Sequence, residues 1–258
     1  MDFDLRDRRV FVTAGASGIG RAIAIAFAQA GARVHVCDID APALTSLAQE
    51  FPSISTDVCD VSDRAAVERT VTSMHSRLGG LDVLVNNAGI GGETAPLERS
   101  DPAVWSKVLE VNLKGTFHVT QLCIPHLRGS ASGVILNMSA LAGRLGYPNR
   151  SAYSTTKWGL VGLTKTLAIE LGDARIRVNA ILPGAVNGDR FQNVLKGRAS
   201  QSGRSMAEET DIAMRSMSIK KLVEPEQVAA LAMFLASDAA LTISGQVFPI
   251  DGDTQSIA

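Results

Sequence analysis

The chain lacks most of the residues that mark special classes of protein. Among 258 residues it has only three cysteines, Cys37, Cys59 and Cys123, with no paired spacing. That argues against a disulfide framework and a thiolate metal site, and for small buried side chains in a reducing compartment. The four histidines (His35, His75, His118, His126) are scattered, so no metal site is expected. Neither sign of charge is in excess, with 25 Lys and Arg against 26 Asp and Glu. Without a basic surplus, nucleic acid is not expected as a partner. Long apolar runs are missing too, and stretches such as residues 22–28 fall far short of a bilayer. Residues 1–7 alternate charge around a single Phe and Leu, so neither a signal peptide nor a membrane partner is read. A soluble, cytoplasmic protein is expected. Aromatics are scarce at 5%, whereas 23 glycines suit close helix–strand packing, and 46% hydrophobic residues exclude disorder.

What is present is an alternation of short apolar strands and helices. Strands are expected near residues 9–13, 33–37, 53–56, 81–85, 133–138, 175–181 and 245–250, with β-branched and apolar residues in continuous runs. Helices are expected over 21–30, 41–50, 63–78, 102–127 and 153–171, with Gly31 ending the first and Ser62 capping the third. Strands of this kind, alternating with helices, imply a parallel sheet covered on both faces. The expected fold is α/β, a single-domain Rossmann-type doubly wound sheet of about seven strands spanning residues 1–258. The polar stretch 187–217 follows the sixth strand and is read as a helical substrate lid. The alternative is an insertion with a solvated charged face.

The first strand runs into Thr13-Ala14-Gly15-Ala16-Ser17-Gly18-Ile19-Gly20 and then a helix. Gly15, Gly18 and Gly20 let the backbone turn sharply and approach a pyrophosphate, and the helix start from Ser17 and Ile19 offers free N–H groups. Its place between a strand and a helix gives this glycine cluster its weight. Asp38 ends the second strand, where an acid accepts hydrogen bonds from adenosine ribose and repels a 2′-phosphate. Ile39 follows it, and no Arg or Lys stands in the glycine turn, so NAD is expected as cofactor rather than NADP. Asp38 could instead only open the turn to Asp40. Asp60 and Val61, after the third strand, could touch adenine.

Tyr153 and Lys157 are four apart, on one helix face. Oxidising an alcohol by hydride transfer needs a base for the hydroxyl proton. A free phenol holds its proton to about pH 10, and a neighbouring ammonium favours the phenolate. Lys157 could also hold the nicotinamide ribose. Ser139, closing the fifth strand, can hold the substrate oxygen beside Tyr153.

These residues stand in a recognisable order with Asn86-Asn87-Ala88-Gly89, Asn112, Tyr153-Ser154-Thr155-Thr156-Lys157 and Pro183-Gly184. Over nearly its whole length, from about residue 5 to 251, the chain resembles the classical short-chain dehydrogenase/reductases. The resemblance implies that Asn87, Ala88 and Gly89 border the cofactor riboses and that Asn86 ties strands together. It implies that Asn112 breaks its helix and completes a proton relay to Lys157. Pro183 and Gly184 would lead the chain past the nicotinamide, with the Val186 backbone at the carboxamide. It also implies a homotetramer, or else a dimer. Two departures stand out. Gly188 occupies the place of a usual Thr, and the last strand ends Asp251-Gly252-Asp253 instead of Asp-Gly-Gly.

The substrate is expected to be a small polar molecule with a primary or secondary hydroxyl: a sugar, polyol, hydroxy acid or other anionic alcohol. Its pocket would draw on Ser139, Leu141, Arg144, Tyr147, Asn149, Asn187 and Arg190. Arg144, Arg150 or Arg190 could pair with a carboxylate or sulfonate, or could each be a surface residue. The alternatives are a carbonyl reductase of 3-oxoacyl type and a non-catalytic NAD-binding protein of the same fold.

Overall fold

In a computed structural model, which describes residues 3–256, seven parallel strands form one sheet in the order β3-β2-β1-β4-β5-β6-β7. Met1 and Asp2, where the reading against a signal peptide begins, lie outside the described residues. The strands are β1 (Arg9–Thr13), β2 (Arg33–Asp38), β3 (Ser55–Val58), β4 (Val83–Asn86), β5 (Gly133–Met138), β6 (Ile176–Pro183) and β7 (Val247–Ile250). The strands β1, β4, β5 and β6 are buried nearly end to end, as a sheet covered on both faces requires. Helices α1 (Gly18–Gln29), α2 (Ala41–Glu50) and α9 (Pro225–Ala236) bear on the apolar core that includes Phe27 and Leu235. Helix α3 (Arg64–Leu78) packs with α5 (Thr116–Leu127) and α6 (Ser151–Glu170) around the second core, with Met74, Cys123 and Ile135.

The chain reverses its winding between β1 and β4, so their carboxyl ends open a crevice there. No helix among the described residues is long and apolar enough to cross a membrane. Two sequence expectations shift. Asp63, not Ser62, caps α3, because its carboxylate accepts the Ala65 N–H at 2.9 Å while Ser62 bonds to Asp60. The stretch expected as one helix over 102–127 is α4 (Pro102–Leu109), a π-helical turn (Glu110–Gly115) and then α5.

Asp82, alone in an apolar strand sequence, has a structural use. It takes two hydrogen bonds from the Arg9 guanidinium at 2.8 Å, one from the Arg9 N–H and one from Ser130 Oγ at 2.6 Å. These pin the entries of β1, β4 and β5 together. Burial alone would raise its pKa, but the Arg9 and Ser130 hydrogen bonds outweigh that and hold it at about 2. An unfolded carboxyl titrates near 3.9. The native state therefore gains stability above about pH 4 and loses it as pH falls through about 2. Asp82→Asn is expected to lower unfolding free energy at pH 7 by about 1–3 kcal/mol. Urea titrations at several pH values should show that gap closing between pH 4 and 2.

Candidate active site

The turn after β1 is a close-packed cradle. A Cβ on Gly15 would lie 2.8 Å from the Val36 side chain, and one on Gly20 would lie 2.2 Å from the Ala14 carbonyl oxygen. Gly18 has φ +51, a conformation that favours glycine. Asn87 closes the cradle by donating its Nδ2 to the Ala14 carbonyl at 2.9 Å and the Thr13 carbonyl at 3.2 Å. The Thr13 hydroxyl in turn accepts the N–H groups of Asn87 and Ala88, both at 3.0 Å. Ser17, the N-cap of α1, makes no side-chain cap, so the first N–H groups of that helix keep their capacity for an anion. Ile19 and Asn87 line the cleft beside it.

Half-buried Asp38 lies at the far side of the cradle, accepting the Ala16 N–H at 3.0 Å and the Asp40 N–H at 3.2 Å. Ile39 next to it is 69% exposed. The carboxylate of Asp60 is engaged by the Ser62 hydroxyl at 2.6 Å and by Lys107. Val61 is buried, and a Cβ on Gly115 would strike it.

One cleft of about 1030 Å³, measured out to its mouth, holds Ser139, Tyr153 and Lys157. Tyr153 and Lys157 project from the first turns of α6, with the Lys157 Nζ 5.6 Å from the centre of the Tyr153 ring. Lys157 is buried and donates to the Met138 carbonyl at the end of β5 at 2.7 Å. Ser139 Oγ donates to the Lys157 carbonyl at 2.7 Å. That approach needs Gly143, where a Cβ would sit 2.3 Å from Ser139 Oγ. Burial first, and then the nearby Arg190 charge, push the Lys157 pKa down to about 7. Gly89 packs closely on Asn112, because a Cβ there would be 3.2 Å from Asn112 Oδ1.

Asn112 lies in the π-helical turn, fully buried. Its side chain donates to the Ile90 carbonyl and to Thr156 Oγ1, both at 3.0 Å, and accepts the Ile90 N–H at 2.8 Å. It thus ties the loop after β4 to the helix that carries Lys157. Asn86 joins β4 to β5 through Asn137 at 2.9 Å.

At the end of β6 and just past it, Pro183, Gly184 and Val186 line the cleft. Gly184 passes so close to Asp251 that a Cβ would lie 2.5 Å from the Asp251 side chain. Gly188 has φ +145 as the N-cap of α7 (Asp189–Ser202). A threonine there would be strained, which gives the departure from the family pattern a backbone cause.

The residues expected at the substrate divide. Ser139, Leu141, Tyr147 and Arg190 line the cleft. Arg144 does not, because its guanidinium pairs with Asp251 at 2.7 Å and bonds to the Thr254 carbonyl. Asn187 turns to Glu224 at 3.2 Å. Asn149, at φ +61, lines a neighbouring groove instead. Arg198, Val194, Met217 and Thr254 line the cleft and were missed. The spacing of 190, 194 and 198, one face of a helix, was the available signal. For Met217 and Thr254, which meet in an isolated bridge, no local signal existed.

Comparison with known proteins agrees with this arrangement. The family described as enoyl-(acyl carrier protein) reductase matches residues 13–253. Levodione reductase of Leifsonia aquatica is 37% identical over 252 residues, covering 95% of this chain and 93% of that protein. The 3-oxoacyl-[acyl-carrier-protein] reductase of Thermotoga maritima is also 37% identical, covering 96% of this chain and 98% of its own length. Among solved structures, NAD+-bound xylitol dehydrogenase superposes with a TM-score of 0.92 at 28% identity, covering 96% of this chain and 99% of that one.

The buried ammonium predicts an unusual stability effect. An unfolded lysine titrates near 10.4, so the depressed native value of about 7 costs stability progressively as pH falls from about 10 to 7, and by a constant amount below that. Lys157→Met, free of cofactor, is therefore expected to melt above the unaltered protein at pH 7, with the difference fading near pH 10. Thermal scans across that range check it, and a lower melting temperature at pH 7 would contradict it.

Proposed function

The chain belongs to the short-chain dehydrogenase/reductase family of oxidoreductases, and on that footing we propose that it is an NAD-dependent dehydrogenase oxidising a hydroxyl group of a small polar substrate. The observation that carries this reading is the cleft in which Tyr153, Lys157 and Ser139 converge beside the glycine cradle. The cradle supports a dinucleotide, because it is closed to any Cβ at Gly15 and Gly20 and keeps uncapped N–H groups at the start of α1. Gly15, Ser17, Gly18, Ile19 and Gly20 would hold the pyrophosphate, and Asp38 with Ile39 the adenosine ribose. Asp60, Val61, Asn87, Ala88 and Gly89 would border the adenosine and nicotinamide ribose region. Pro183, Gly184 and Val186 would flank the nicotinamide. The half-buried Asp38 carboxylate would accept ribose hydroxyls and repel a 2′-phosphate, and an NAD-bound structural relative points the same way.

The bound nicotinamide supplies the hydride acceptor. This chain's residues do the rest. Ser139 holds the substrate oxygen, and Tyr153 Oη takes the hydroxyl proton as the carbinol carbon loses hydride. Lys157 would hold the nicotinamide ribose, with its Nζ 5.6 Å from the centre of the Tyr153 ring. Asn112 acts behind Lys157, fixing α6 through Thr156 and completing the proton path. Helices α7 and α8 (Met206–Arg215) serve as the substrate lid of a single domain. The half-exposed Phe117 on α5 and Trp158 on α6 would be covered by a second copy of the chain, in a homotetramer or else a dimer. The three free buried thiols fit a cytoplasmic protein.

A panel of sugars, polyols and hydroxy acids offered with NAD and NADP, followed by NAD(P)H absorbance, tests the reading. Tyr153→Phe is expected to lower turnover by about 100- to 10,000-fold while NADH affinity, followed by fluorescence, stays within a few-fold. Full turnover in that variant would remove Tyr153 as the base, and better turnover with NADP than NAD would overturn the role of Asp38.

A further inference from the structure

We propose that Arg150, Arg190 and Arg198 form a seat for a carboxylate, so that the cleft selects short hydroxy acids over neutral alcohols. The proposal rests on the reading of the chain as a hydroxyl dehydrogenase and names its substrate class. The three guanidiniums surround two rings whose centres are 6.4 Å apart. The Arg150 Cζ lies 5.3 Å from the Tyr153 ring centre and 5.6 Å from that of Tyr147. Arg190 lies 5.6 Å from Tyr153, and Arg198 lies 5.3 Å from Tyr147.

None of the three has an acidic partner among the described residues. Arg150 donates to the Gly91 carbonyl at 3.0 Å and the Thr94 hydroxyl at 3.5 Å. Arg190 donates to the Gly89 carbonyl at 3.1 Å and Arg198 to the Tyr147 hydroxyl at 3.2 Å. Elsewhere in the chain Arg9, Arg144 and Arg204 each find an Asp or Glu. No Asp or Glu lines the cleft among the described residues, yet four cations do, counting Lys157. Arg150 is only 7% exposed, and its buried Nε has no hydrogen-bond partner. Burial lowers its pKa; Tyr147 and Tyr153 oppose this, and the charges of Arg190 and Arg198 add to it.

A buried guanidinium with an idle N–H among like charges is costly unless an anion joins it. A carboxylate repays that cost best, because its two oxygens match the guanidinium fork. The short distances to the Tyr153 ring limit the spacer between the acid group and the reacting carbinol to a few carbons.

The test uses 2-, 3- and 4-hydroxy acids of three to five carbons, each paired with its methyl ester and its sulfonate analogue, with NAD as oxidant. At least one acid is expected to exceed its ester in kcat/KM by 10-fold or more. Arg150→Met and Arg198→Gln are each expected to shrink that acid-to-ester ratio by about 10- to 100-fold. Circular dichroism confirms folding, and Arg198 lies on a half-buried lid helix where substitution spares the core. As a second readout, malonate is expected to raise the melting temperature of the NADH-bound protein, and less so in Arg198→Gln. Esters used as well as acids, a preference for sulfonates, or a ratio unmoved in both variants would each overturn the carboxylate seat. Tyr153-dependent oxidation confined to neutral alcohols would overturn the seat and leave the dehydrogenase reading standing. Turnover of nothing with either cofactor would count against both.

Discussion

The ammonium of Lys157, buried with no carboxylate paired to it among the described residues, is the group around which the rest of the site is arranged. Its hydrogen bond to the Met138 carbonyl joins the start of α6 to the end of β5. The neighbouring backbone must come close for this to work. Gly143 allows Ser139 Oγ to reach the Lys157 carbonyl, and Gly89 lets the loop after β4 lie close against Asn112. Asn112 then locks the loop after β4 against Thr156, one residue before Lys157. The π-helical turn at Glu110–Gly115 carries that asparagine, and such interruptions in a helix often mark function. The end of β5, the loop after β4 and the π-helical turn thus converge at the start of α6, at the open edge of the sheet.

Positive charge in the cleft is cumulative. Arg190 adds to the burial that depresses the Lys157 pKa to about 7, and it also acts on Arg150. The same charges lie around the Tyr153 ring at 5.3–5.6 Å. One ring thus has three cationic side chains around it, Arg150, Lys157 and Arg190.

The order of the elements was legible in the sequence because buried parallel strands are continuous apolar runs. Arg9–Thr13, Ala41–Glu50 and Gly133–Met138 agree with their expected bounds to the residue. The break at Asn112 was expected only through the family likeness, since residues 102–127 read as unbroken helix by their periodicity. The places of Tyr153, Lys157 and Ser139 follow from local spacing and strand ends, so they too were legible. The fates of the arginines were not. Arg144 and Arg150 stand six apart in one loop region, yet one meets Asp251 from the chain end and the other lies buried near Gly91. Partners 107 and 59 residues away decide the matter, and no local pattern encodes them.

The end of the chain shows why such distant partners bear on specificity. Asp251 packs against Gly184, receives Arg144 and accepts the Asp253 N–H. Thr254 then pairs with Met217, just beyond α8, and Asp253 takes the hydroxyl of Ser218. Thr254 and Met217 both face the cleft. The lid formed by α7, which carries Arg190 and Arg198, and α8 is therefore attached at two places. One is Gly188, whose φ of +145 lets the chain turn from β6 into α7. The other is the C-terminal turn, which holds the exit of α8. Arg144 is withdrawn from the substrate side because it is committed to that turn. The charges left in the cleft are those on α7 and at the start of α6, and these elements set what the reacting group meets.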